Sequence, residues 1–140
     1  MNNRRAPENR FPVLAVLELL TAVGLVLFWL GFFTIGLAPE NPPPGYFVYE
    51  HSFPLPDLAL AVVLAVSSLL LLKGRPGGRP LALLASGALF FLGLVDISFN
   101  LQNGVYLLST LDLILNAFIN LWCLGLGLAL YLAFRRPNAG

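Results

Sequence analysis

Asp96 to Cys123 reads DISFNLQNGVYLLSTLDLILNAFINLWC. Asp96, Asn100 and Asn103 recur at i, i+4 and i+7, while Asp112, Asn116 and Asn120 recur at i, i+4 and i+8. Both spacings are helical, so each set forms one polar stripe on one helix face. The residues between them are mostly Leu, Ile, Val and Phe, which are soluble in lipid. Carboxylates and amides are expensive in hydrocarbon, so the stripes are expected to face protein or water. The stretch is thus read as two membrane helices joined by a short link, with Asn103-Gly104 as its turn signal.

Composition extends that reading to the whole chain. Of 140 residues, 58% are hydrophobic and only 11% charged. A soluble domain carries about 25% charge, so the deficit marks a membrane protein, and the length suits one domain. The eight Lys and Arg residues sit in short flanks and make no basic field for nucleic acid. Cys123 is the only cysteine, which excludes an intrachain disulfide and a CxxC redox pair. His51 is the only histidine, which excludes a two-His haem site within one chain. Cys123 itself reads as bundle packing. No cofactor is implied.

Working outward, residues 81–100 form the helix that carries Asp96, and 109–134 the helix that carries Asp112. Ser109 or Thr110 is the expected cap of the latter. KGRPGGRP, residues 73–80, is a tight basic turn. Residues 57–72 are predicted to span once more, with Asp57 as N-cap or first-turn acid. Ser67 and Ser68 there are expected to return their hydroxyls to the backbone. Residues 38–56 are a loop holding six of the eleven prolines. Its Tyr46, Phe47, Tyr49 and Phe53 suit anchoring at the membrane interface. Glu50 and His51 are read as solvated loop residues. Residues 11–37 are an apolar run broken by Glu18 and Thr21. It is too long for a signal-peptide core and is predicted to be retained as the first span. At roughly 40 Å it exceeds a ~30 Å hydrocarbon layer, so it must tilt or emerge.

The fold predicted is all-α: four transmembrane helices in an antiparallel up-down bundle. Lys and Arg occur only at 4, 5, 10, 73, 75, 79, 135 and 136, all on one side of such a bundle. The positive-inside rule then places both termini in the cytoplasm and the Pro-rich loop outside a plasma membrane. The tail after Arg136 is expected to be loose.

Neighbouring antiparallel helices usually pack. Asp96 and Asn100 should therefore meet Asp112 and Asn116 in the outer half, with Asn120 deeper and Glu18 towards the inner side. Such an all-oxygen set suits a hard cation, a protonated amine or protons. The leading expectation is a transporter or channel-like protein for a small cation or polar solute. Its ligand set is Asp96, Asn100, Asp112, Asn116, Glu18 and Asn120, with any metal unspecified. No nucleophile–base pair, GxSxG, HExxH or P-loop is present, so enzymatic activity is not demanded. One alternative is an accessory subunit whose polar stripes are helix–helix glue. Another is a lipid-binding protein or isomerase-like enzyme with a cavity lined by Phe90, Phe91, Phe99 and Trp122. The small-residue face of Ala61, Ala65 and Ser68 is the candidate interface for a homo-oligomer.

Overall fold

The structure, a computed structural model, describes residues 11–136. The basic flank at Arg4, Arg5 and Arg10 and the tail after Arg136 lie outside the described residues. The chain is all-helical: α1 Pro12–Ile35, α2 Tyr46–Glu50, α3 Pro54–Leu72, α4 Gly78–Gln102 and α5 Thr110–Phe134, with a 3-10 turn at Val105–Leu107. Four stretches are long and apolar enough to cross a membrane: Pro12–Ile35, Tyr46–Leu72, Gly78–Gln102 and Thr110–Phe134. Their outer surface is apolar as well. Leu20, Leu27, Leu84, Phe91, Phe118 and Leu121 are each more than half exposed. A water-soluble protein of this size does not carry so much continuous apolar surface. This is a multi-pass membrane protein.

Helix ends follow local chemistry. Pro12 opens α1, where a missing N–H is no loss. Gly36 closes it at φ 68°, so α1 ends two residues short of the apolar run. Leu37 folds back over Gly31, close to where a side chain would sit. Ser109 caps α5 by accepting a hydrogen bond from the Asp112 amide at 3.0 Å. The helix carrying Asp96 begins three residues before its expected start and ends two after. Its early start has a partner: Arg79 Nε donates to the carbonyl of Phe134 at 2.8 Å, tying the start of α4 to the end of α5.

Helix α3 packs on α1 and on α4, α4 packs on α5, and α1 touches α5 only lightly. Lipid tails are as apolar as leucine, so burial alone does not drive these contacts. Small residues and hydrogen bonds do. Ala15, Ala22, Ala61, Ala82 and Ala85 lie together in the core. Ser68 Oγ donates across to the Ala15 carbonyl at 2.6 Å, and Ser86 Oγ to the Gly127 carbonyl at 2.7 Å. Trp122 Nε1 reaches Thr21 Oγ1 at 2.9 Å, linking α5 to α1.

One expectation is corrected here. Ser67 and Ser68 do not bond back within their own helix; both cross to neighbours. On the face of Ala61, Ala65 and Ser68 a neighbour within the chain is already seated. Ala61 and Ser68 are buried against α1, because α1 needs that same smooth surface to approach.

Candidate functional site

The 19-residue loop expected between the first two spans contains a helix of its own. Gly45, at φ 82°, reverses the chain and starts α2. This one-and-a-half-turn helix lies over the ends of α1 and α4. Tyr46 is buried with Trp29 and Phe32. The Tyr49 ring stacks flat on Phe99, 3.7 Å between centroids and 2° between planes. These tyrosines are therefore packing groups of the bundle end.

Beneath α2 lies a polar cluster centred on half-buried Asp96. Tyr49 O–H donates to Asp96 Oδ1 at 3.3 Å. Asn100 Nδ2 donates to Asp96 Oδ2 and to Asn116 Oδ1, both at 3.3 Å. Asn120 stands near the Asp96 carboxyl. Its Nδ2 donates to the Tyr106 hydroxyl oxygen at 2.7 Å. Its carbonyl oxygen has none, although Asn120 is only 2% exposed. A buried acceptor without a donor is destabilising by about 1–3 kcal/mol.

Two further acids stand close by. Asp57 is buried and accepts from Trp29 Nε1 at 3.0 Å. Glu50 is half-buried beside Tyr46. A charge on Asp96 is felt at both acids. All described Lys and Arg residues sit at the opposite end, in the 73–79 turn and beyond α5. The cluster is rich in acceptors and has no cation.

Asp112, the second expected primary ligand, is engaged locally. Asp112 Oδ2 accepts from Ser109 Oγ at 2.6 Å. It occupies the first turn of α5, where a carboxylate also meets the helix dipole, and serves as a cap partner. Asn116 splits its amide: Nδ2 donates to the Asp112 carbonyl at 2.8 Å, and Oδ1 accepts from Asn100. Asp57 is the first-turn acid of α3, one of the two roles expected of it, while its side chain leaves the helix end uncapped and goes to Trp29.

Glu18 belongs to a separate place. It is fully buried near the basic end, with Ser67 Oγ at 2.9 and 3.1 Å from its two oxygens. The same hydroxyl lies 3.1 Å from the Gly78 carbonyl. One hydroxyl hydrogen cannot serve all three oxygens. A hydrogen on Glu18 completes the chain: Glu18 to Ser67, and Ser67 to Gly78. The chain ties α1, α3 and α4 together.

Among the described residues, no three His, Cys, Asp or Glu side chains come together so as to hold a metal ion. His51 is exposed and its Nδ1 contacts the Phe47 carbonyl of its own turn. Of the four aromatic residues expected around a sideways cavity, Phe91 and Phe99 do line one open groove, whereas Phe90 lies outside it and Trp122 turns to Thr21. Residues missed by the stripes are Tyr49, Glu50, Asp57 and Tyr106. Each sits in a loop or at a helix end, where periodicity carries no signal. No family model, curated protein or solved structure matches this chain.

Proposed function

We infer that this membrane protein binds a small cationic solute, a protonated amine, at the Asp96 cluster. The observation that carries the reading is the donorless Asn120 oxygen beside an acid with no counter-cation. An ammonium group brings both missing features, a positive charge and N–H donors. Asp96 is its primary partner, Asn120 and Asn116 supply neutral acceptors, and Glu50 and Asp57 add negative field. The aromatic rings of Tyr49 and Phe99 suit an organic cation better than a bare metal ion. Asn100 holds Asp96 and Asn116 in place.

Transport is the use such a site suits best. The helix contacts agree with an antiparallel up-down bundle. Ala15 and Trp29 of α1 meet Ser68 and Asp57 at opposite ends of α3, and Arg79 and Asn100 of α4 meet Phe134 and Asn116 of α5. With the Lys and Arg end in the cytoplasm, the Asp96 cluster lies on the outer side of a plasma membrane, under α2. Glu18 is then a structural residue of the inner half. Its bonds to Ser67, like those of Thr21 to Trp122, favour an assembly role for the deep polar groups.

The test is thermal stability of the purified protein against Na⁺, Ca²⁺, Mg²⁺ and short organic amines. A ligand at a hundred times its Kd stabilises by about 2.7 kcal/mol. An amine is expected to raise the melting temperature of the wild type and not of Asp96→Asn. No response to any of the panel would refute the reading.

A further inference from the structure

The Asp96 cluster has a neighbour on the outside of the bundle. An open groove of about 390 Å³ runs along α4. Its lower part is Phe91, Leu94 and Val95; its upper part is Ser98, Gln102 and Asn103. From Phe91 to Gln102 the helix rises roughly 16 Å, the length of an extended alkyl chain with its head group. The polarity is graded along that length. Phe91 is 69% exposed on the apolar side, while Gln102 Nε2 donates to Ser98 Oγ at 2.8 Å at the polar end. The inner wall is the Tyr49–Phe99 stack.

Tyr49 belongs to both places. Its ring lines the groove, and its hydroxyl donates to Asp96. It is a wall of the lipid-facing groove that also bonds the acid. Access from the loop side is different, because α2 lies across it with Tyr46 buried. We propose that the groove holds the apolar tail of an amphiphilic amine taken from the bilayer, with its ammonium reaching Asp96 past Tyr49. The proposal rests on the function inferred above and names the class of its solute. Charge complementarity selects the occupant. Asp96 and the unsatisfied Asn120 acceptor lie off the groove itself, beyond Tyr49, and an acid there repels anionic lipids and gives a neutral lipid no ion pair. The described basic residues lie at the far end of the bundle. The tail gains little by leaving lipid for an apolar groove, so selectivity resides in the head group.

The experiment uses the full chain in phosphatidylcholine nanodiscs and a long-chain primary alkylamine carrying a diazirine in its tail. The matching long-chain alcohol is the neutral control. Irradiation and peptide mapping are expected to place the amine label within 91–102, displaced by excess unlabelled amine. The label is expected to vanish in Asp96→Asn and in Phe91→Trp, which fills the groove without touching the acid. Melting curves confirm that both variants fold, and the wild-type comparison of amine with alcohol needs no variant. Equal labelling by the alcohol would overturn the proposal. So would label spread over Leu20 and Leu27 of α1, or label unchanged in Asp96→Asn. A short hydrophilic amine that stabilises the wild type without any groove label from the long one would overturn this proposal alone. No response to either amine would sink the site as well.

Discussion

Gly125 and Gly127 stand two residues apart on α5, and alanine is expected to act in opposite directions at the two sites. At Gly125, which faces outward, an added Cβ meets nothing within 4 Å. Replacing a mid-helix glycine there removes an entropic penalty and should stabilise by about 0.5–1 kcal/mol. At Gly127 the same atom would stand 2.9 Å from the Ser86 carbonyl oxygen, 3.1 Å from the Phe90 nitrogen and 3.4 Å from Leu89 Cβ. Two of those neighbours are backbone and cannot rotate away. Helix α4 must retreat by about 0.5 Å to restore ordinary contact. Overpacking of this kind costs about 1–3 kcal/mol, and the helix-propensity gain offsets only part of it. The net expectation for Gly127→Ala is a loss of about 1–2 kcal/mol. Unfolding of both variants and the wild type in one mixed-micelle system measures the difference directly. If Gly127→Ala is as stable as the wild type, or if both variants shift alike, the α4–α5 interface described here is wrong.

Three further outcomes are expected. Glu18→Gln keeps a donor for Ser67 and should stay within ~1 kcal/mol of the wild type, whereas Ser67→Ala strands buried oxygens and loses about 1–3 kcal/mol; denaturant titration that finds the two equally damaging would contradict the hydrogen-bonded chain. Ser109→Ala removes the α5 cap and should destabilise by about 0.5–2 kcal/mol while leaving any amine response intact. Loss of that response would return Asp112 to the ligand set. Trp29→Phe breaks the bond to buried Asp57 and should lower stability by about 1–3 kcal/mol, read by thermal melting, with Trp122 left as the only tryptophan. An unchanged melting temperature would show that the bond does not form.

The four spans were legible because hydropathy, Pro and Gly act locally. The stripe through Asp96, Asn100, Asn116 and Asn120 was legible too, since a helical period survives any packing. What escaped was decided by contacts between distant segments. A Pro-rich, aromatic stretch reads as a loop, yet Tyr46 and Tyr49 find Trp29, Phe32 and Phe99 and hold a short helix there. Asp57 satisfies every local rule for a cap, and a tryptophan 28 positions earlier takes its oxygen instead. Asp112 went the opposite way. Its S-x-x-D capping pattern with Ser109 was present in the sequence, and the local bond that it announces forms. Glu18 had a readable position and an unreadable partner, because nothing in helical spacing points from α1 to Ser67.

That partner arrives late. Ser67 lies 49 positions after Glu18, so α1 leaves the ribosome and enters the bilayer before its acid can be matched. During that interval the nascent helix carries an unpaired carboxyl group, a burden of a few kcal/mol for membrane insertion. It is also the most apolar of the four spans, with mean hydropathy 2.5 against 2.0 to 2.3 for the others. That surplus lets α1 partition into lipid unaided and wait for α3. Biogenesis therefore has a vulnerable window. A chain stalled before residue 67 displays an unmet acid within the membrane, the kind of signal by which quality-control proteases recognise an unfinished membrane protein.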